Sequence, residues 1–166
     1  MTTESAAPKL DKNNPDVIVR AYKYALKPTA TQEQHLRQHT GAVRFAYNHL
    51  ISQWRDDIHT RAEEKERGVP EDELTPFTFK STYDMRNHWN HIKGECAPWY
   101  SEVSKDIGED AARRAHASIE NWYDSRNGKR RGRKMGFPRF HKRGYHDSCT
   151  FCGEPIRVNT DRRLVT

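Results

Sequence analysis

Apolar residues are scarce in this chain of 166 residues, at 34% of the sequence, and no run of them is long enough to span a bilayer. The N-terminus is polar and lacks the apolar stretch of a secretory signal. Only three cysteines are present (Cys96, Cys149 and Cys152), too few for a disulfide framework. These absences argue against an integral membrane protein and a disulfide-rich secreted domain, and they favour a cytoplasmic protein.

Acidic residues are absent from one stretch, Arg126 to Arg143, which carries nine lysines and arginines: Arg126, Lys129, Arg130, Arg131, Arg133, Lys134, Arg139, Lys142 and Arg143. The whole chain has a net charge of +6, so the remainder carries −3. The partner of this stretch could be nucleic acid, an anionic membrane, or solvent alone. We favour nucleic acid, because nine like charges repel one another and phosphate groups relieve that repulsion.

Glycine and aromatic residues are interleaved with these charges. Gly128 and Gly132 flank basic residues and give a flexible backbone that can follow a line of phosphates. Phe137, Phe140 and Tyr145 have faces that can stack on bases or sugars. The alternative is that the two phenylalanines are ordinary core residues, which is the interpretation we favour for them.

Three helices are predicted in the middle of the chain. Thr29 and Thr31 each precede a glutamine by three residues, which is the spacing of a capping box. The first helix then shows an apolar stripe at helical spacing: Leu36, Val43, Tyr47, Leu50, Trp54 and Ile58. Ser81 is a candidate cap for a second helix, and a third begins at Asp106 or Gly108 and ends near Gly128.

Strands are predicted on both sides of this helical block. Residues 1–16 are polar and typical of a disordered tail, whereas Val17 to Leu26 alternate like a strand that ends at Pro28. Short extended runs resume after the basic stretch, at 137–140, 148–151, 156–158 and 164–165. The pattern favours a β-domain interrupted by a helical insertion.

Other candidate sites are weaker. Four residues on one face of the first helix can contact bases or phosphates, although polar residues on a helix are often only solvated: Arg37, Arg44, Asn48 and Arg55. Cys149 and Cys152 have the Cys-x-x-Cys spacing, with His141 and His146 nearby. A structural zinc site needs four ligands and the second half of a usual site is missing, so we favour two ordinary strand cysteines. Neither a nucleophile–base arrangement nor a set of carboxylates for two-metal chemistry is evident.

Several segments together are similar to a known family. Gly41-Ala-Val-Arg44-Phe-Ala-Tyr47-Asn48, preceded by Ala25 to Gln32 and followed by Gly136-Phe-Pro-Arg-Phe140, resembles the TnpB (OrfB) family of transposon-encoded, RNA-guided DNA nucleases. The likeness runs from Val17 to Thr166, and the two motifs in this order are specific.

The resemblance implies an α+β fold, in which an oligonucleotide-binding-like β-barrel (the wedge) is interrupted by a helical recognition lobe. The implied divisions are a disordered tail at 1–16, a first wedge strand at 17–28, the helical lobe at 29–128, and a basic crossing with returning, incomplete wedge strands at 129–166. The implied partners are guide RNA and target DNA, with no membrane and no assigned oligomeric state. The expected contact residues are Arg37, Arg44, Tyr47, Asn48, Lys129, Arg130, Arg131, Arg133, Lys134, Arg139, Lys142 and Arg143. Of these, Tyr47 is expected to pack inward.

The resemblance also implies that the family's nuclease domain lies beyond Thr166. No catalytic residue or metal ligand is therefore assigned, no cofactor is expected in this chain, and a divalent metal such as Mg²⁺ is expected only for that nuclease domain.

An alternative function is an RNA-independent transposon DNA-binding protein or repressor that uses the first helix to read DNA. A third alternative, an enzyme in its own right, would require metal-dependent cleavage by this chain.

Overall fold

A computed structural model describes residues 25–145, 147–151, 158–159 and 164–165 of the protein. Helix α1 spans Ala30–Glu66, α2 spans Thr82–Cys96, and α3 spans Asp106–Arg126. A short 3₁₀ helix, Pro98–Glu102, connects α2 to α3. Two strands of two residues each, β1 (Val158–Asn159) and β2 (Leu164–Val165), pair in antiparallel register. Among the helices described, none has the length and apolarity needed to cross a membrane.

The predicted helix ends are confirmed. The Thr29 side chain accepts a hydrogen bond from the Gln32 backbone N–H, and the Gln32 side chain accepts one from the Thr29 N–H, which completes a capping box. The Ser81 side chain caps α2 by accepting from the backbone N–H of Asp84 at 3.2 Å. Helix α3 ends at Arg126, and Gly128 follows with a φ of 70°, a conformation that favours glycine.

The hydrophobic core lies where the three helices meet. The predicted stripe of α1 is confirmed over most of its length, since Val43, Tyr47, Leu50 and Trp54 are buried. Its first member, Leu36, is exposed. Helix α2 contributes a fully buried tryptophan, Trp89, and α3 contributes small residues that let the helices approach closely: Gly108, Ala111, Ala112 and Ala115. A Cβ atom at Gly108 would lie 2.9 Å from Cδ1 of Trp89, so this contact requires glycine.

The predicted oligonucleotide-binding-like barrel is wrong. The described residues form three helices and one pair of two-residue strands, and residues 137–140 and 148–151 are not strands. Helix side chains rather than neighbouring strands pair with part of their backbone: the Tyr47 hydroxyl donates to the Arg139 carbonyl oxygen, and the Asp110 carboxylate accepts from the Thr150 N–H. The predicted first strand falls mostly on residues 17–24, which lie outside the described residues, as do the tail at 1–16 and residues 156–157.

Two histidines, His49 and His88, lie at the interface of α1 and α2. The rings of His49 and His88 lie 6.2 Å apart, and both are half-buried. Burial lowers the pKa of His49; burial, followed by the nearby His49 and His91, lowers the pKa of His88 against a smaller opposing effect of Asp57.

We therefore expect the free energy of unfolding to fall as the pH drops from 7 to 5. The unfolded state binds a proton at each histidine near pH 6.5, whereas the folded state binds it only at lower pH, so acid favours unfolding. The midpoint of urea unfolding at pH 7 and pH 5 measures this effect. The double variant His49→Gln/His88→Gln should lose much of the difference, while the exposed His35→Gln control should keep it. Equal pH dependence in all three proteins would contradict the assignment.

Candidate nucleic-acid interface

The basic stretch emerges from the C-terminal end of α3 as an exposed turn. The backbone N–H groups of Lys129 and Arg130 both donate to the carbonyl oxygen of Asp124, at 2.9 and 3.3 Å. Gly132 has a φ of 104°, which bends the chain where a side chain would be strained. The Met135 N–H then donates to the buried hydroxyl of Ser125 at 2.8 Å and fixes the return of the chain onto the helices.

Most of the charge in this stretch has no acidic partner. Among the residues that the structure describes, no carboxylate pairs with the side chains of Lys129, Arg130, Arg131, Arg133, Lys134, Arg139, Lys142 or Arg143. All eight residues are exposed. The arrangement thus presents a local positive field to solvent, and such a field attracts polyanions.

The Gly-Phe-Pro-Arg-Phe motif at 136–140 lies against α1 and α3. The Phe137 ring contacts the Trp122 ring edge-to-face at 5.2 Å, and Pro138 is buried. The Arg55 guanidinium lies 4.5 Å from the Phe140 ring centroid and 5.4 Å from that of Phe137. Phe137 and Pro138 therefore anchor the motif, whereas Arg139 is exposed. The interpretation of both phenylalanines as core residues is wrong for Phe140, which is 41% exposed.

Asn48 on α1 clamps the backbone that follows this motif. Its Nδ2 donates to the carbonyl oxygen of His141 at 3.0 Å, and its Oδ1 accepts from the N–H of the same residue at 2.8 Å. The Tyr47 ring stacks on the His141 ring with centroids 3.8 Å apart and planes 8° from parallel. The Tyr47 hydroxyl also lies within hydrogen-bonding distance of the Arg139 carbonyl oxygen, at 3.4 Å. We call Tyr47, Asn48 and His141 the clamp.

A second set of contacts anchors the chain just beyond the clamp. Arg44 donates to the Asp147 carboxylate at 2.8 Å. On α3 the buried carboxylate of Asp110 accepts from the Thr150 backbone N–H at 3.0 Å, and it forms ion pairs with Arg113 and Arg114 at 2.8 and 2.9 Å. Burial raises the pKa of Asp110, but the hydrogen bonds from Arg114 and Arg113 outweigh it and hold that pKa below its ordinary value.

These contacts leave a cleft of about 710 Å³ between the helices and the docked segment. Its walls include Tyr47 and Ser118 on the helices and residues 135–142 on the segment. The basic side chains of Arg139 and Lys142 stand at this cleft, and so does the exposed ring of Tyr145. The cleft therefore combines positive charge with aromatic surface.

The structure separates the expected contact residues into two groups. Arg44, Tyr47 and Asn48 have partners within the chain, and the expectation that Tyr47 packs inward is confirmed, since only 2% of it is exposed. Arg37 is exposed and pairs with Glu33 one turn away. The other eight lie together on the exposed stretch. Their contact with nucleic acid stays a prediction.

Several residues that build this region were not predicted. Asp110, Arg114, Asp147 and His141 fix the segment in place. The spacing of Asp110 to Arg113 and Arg114 is typical of helix ion pairs, but it does not indicate that the carboxylate is buried. Cys149 is half-buried and its pKa is raised by burial, whereas Cys152 and His146 lie outside the described residues.

Comparison with known proteins gives two findings. Residues 18–63 match the helix-turn-helix domain family of OrfB/IS605 type. Two proteins of Mycobacterium tuberculosis, from strains CDC 1551/Oshkosh and H37Rv, are each 33% identical over 157 residues. Each is named "Putative RNA-guided DNA endonuclease", and the alignment covers 89% of this chain and 32% of each relative, so the chain spans about a third of their length. No solved structure matches the chain.

Proposed function

Since this chain belongs to the TnpB (OrfB) family, we propose that it is a nucleic-acid-binding module of a TnpB-like RNA-guided DNA endonuclease. In this role it grips guide RNA and target DNA through the basic stretch and the cleft beside it. Binding is the function assigned to these residues, and no cleavage step is. Any divalent metal for cleavage would belong to the family's nuclease domain.

One observation supports this proposal most strongly: residues of the first family motif hold a positively charged segment in place. Asn48 and Tyr47 of the first motif hold His141, one residue after the second motif. Eight exposed basic side chains lie on the segment so held, without acidic partners in the described ranges. Fixed cations can follow a phosphate backbone without being ordered on binding, which favours affinity.

The second candidate is a DNA-binding protein that acts without RNA, favoured by the match to a helix-turn-helix family. Reading of DNA by that motif places a second helix in the major groove after a short turn. In this chain α1 runs without interruption from Ala30 to Glu66, so the described part of the matched segment contains one helix and no turn. The described part of the matched segment therefore does not favour this way of reading DNA.

A competition experiment distinguishes the two functions. The chain is bound to a labelled RNA hairpin with a single-stranded extension, and unlabelled RNA or duplex DNA of equal length is added. We expect RNA to displace the label at a lower concentration than duplex DNA. Preferential displacement by one duplex sequence, with poor competition by RNA, would instead establish the RNA-independent DNA-binding protein.

A further inference from the structure

Nothing in the described part of the fold explains why a glycine, Gly41, lies inside α1. A Cβ atom there would meet only the Arg44 guanidinium, at 3.7 Å, which is an ordinary contact. Its φ is not positive, so the backbone does not require glycine. Glycine weakens a helix interior relative to alanine or leucine. Gly108 is different, because Trp89 lies directly against it. Close approach of something outside the chain would explain the glycine at position 41.

The surface at Gly41 is a groove of about 380 Å³, which we call the Gly41 groove. Its lining is aromatic and basic and includes no acidic residue: Arg37, Gln38, Gly41, Ala42, Arg44, Phe45, Asn48 and Trp99. Phe45 and Trp99 are 39% and 38% exposed, and their rings meet edge-to-face at 5.6 Å. Large aromatic side chains so exposed favour a ligand with flat faces.

Arg37 is the side chain of the groove that we expect to reach a phosphate, since Arg44 is paired with Asp147 and both amide atoms of Asn48 hold His141. Arg37 projects into solvent, and its pair with Glu33 is an exposed one-turn ion pair of the kind that contributes little, so the guanidinium can turn to another anion. Gln38 donates to Glu102 at 2.7 Å, which fixes one wall. Asn48 lines the groove and also holds His141, so the groove lies next to the docked basic segment.

We propose that the Gly41 groove binds an unpaired nucleotide of single-stranded nucleic acid, with its base against Trp99 and Phe45 and its phosphate near Arg37. This site is separate from the basic stretch, and it rests on the proposed function because the same strand would continue onto residues 129–143. The missing side chain at Gly41 lets the sugar or base approach the helix backbone. A duplex, whose bases are stacked inside, does not fit this geometry.

The test compares Gly41→Leu with Gly94→Leu in the full chain. Both glycines are helical, neither has a positive φ, and a Cβ at Gly94 meets nothing within 4 Å. Leucine favours a helix, so both variants should melt at or above the wild-type temperature. Fluorescence anisotropy is measured with labelled single-stranded RNA and DNA of 12 nucleotides and with the corresponding duplex. We expect Gly41→Leu to weaken single-strand binding about tenfold, the size of one lost base stack, and to leave duplex binding within twofold.

Further outcomes separate this proposal from the function it rests on. Trp99→Leu should also weaken single-strand binding, and Gly94→Leu should not. Equal affinity of Gly41→Leu and wild type for both single strands would overturn the groove, even where neutralising the basic stretch abolishes binding. Absence of any binding by the wild type would overturn the proposed function together with the groove. The relative loss with RNA and with DNA identifies which single strand occupies the site.

Discussion

Replacing Lys129, Arg130, Arg131 and Arg133 by alanine should weaken binding of single-stranded RNA about 10²-fold at 0.15 M salt. Each phosphate contact contributes about 0.7 to the slope of log affinity against log salt concentration, and four such contacts amount to this loss at 0.15 M. The four side chains are exposed and have no acidic partner among the described residues, so their removal should leave the fold intact. Filter binding measures the affinity, and thermal melting checks the fold.

A control variant with the same change in net charge makes this result specific. Lys80, Arg86, Lys93 and Lys105 lie on or beside α2, and their replacement by alanine also removes four positive charges. We expect this control to bind RNA within about threefold of the wild type, because it leaves the local field of the basic stretch unchanged. Equal losses in both variants would show that affinity follows net charge rather than the docked segment.

Asn48→Ala should lower the free energy of unfolding by about 2 kcal/mol and weaken RNA binding roughly tenfold. The change removes both hydrogen bonds from the Asn48 amide to the backbone of the half-buried His141, and the loss of a buried hydrogen bond costs about 1–3 kcal/mol. The segment would then have to be ordered on binding, at about 1 kcal/mol or more per residue. Urea unfolding and RNA titration measure the two effects.

Gln53→Ala is the matched control, because Gln53 is a half-buried amide on the same helix whose hydrogen bond, among the described residues, is to the nearby Asp57. It should change RNA affinity by less than twofold. A loss of stability in Asn48→Ala without any loss of RNA affinity would mean that the clamp stabilises the fold but does not serve the binding site.

Exchanging the charges at Arg44 and Asp147 tests whether the ion pair between them also supports RNA binding. Arg44→Asp alone places two carboxylates together, and we expect weaker binding. The double variant Arg44→Asp/Asp147→Arg should recover most of the affinity, since it restores an ion pair between the same two positions. Direct contact of Arg44 with phosphate would give no recovery.

The helices were predictable because their signals are local. The capping box at Thr29, the cap at Ser81 and the glycine after α3 each depend on residues within one turn. The apolar stripe of α1 likewise follows from helical spacing alone. Local sequence patterns do not show which positions of a helix contact a distant part of the chain.

The barrel was predicted wrongly because an apolar run between turn residues is not necessarily a strand. Short runs such as 137–140 and 148–151 have apolar residues and turn residues in the order of a small sheet. In the fold, side chains of distant helices pair with their backbone: Tyr47 on α1 with Arg139, 92 residues away, and Asp110 on α3 with Thr150, 40 residues away. Such a contact between a side chain and distant backbone is not visible in hydrophobic periodicity.

The charge of the candidate site could be predicted from the sequence, but the contacts that hold the site in place could not. The basic stretch is visible in the sequence as nine cations without an acid. The role of Asn48 as a clamp was not, because an asparagine that binds a base edge and one that binds backbone look the same in sequence. The structure shows that residues of the first motif hold the chain that follows the second motif. These contacts give Tyr47 and Asn48 a structural role that does not require either residue to contact nucleic acid.

The dependence of RNA affinity on salt concentration tests most directly whether the docked basic stretch is the nucleic-acid site. The slope of log affinity against log salt is measured for the wild type and for the variant without Lys129, Arg130, Arg131 and Arg133. We expect the slope of the variant to be shallower by about 3, from four contacts of roughly 0.7 to 0.9 each. An unchanged slope would contradict the assignment of this segment as the phosphate-binding surface.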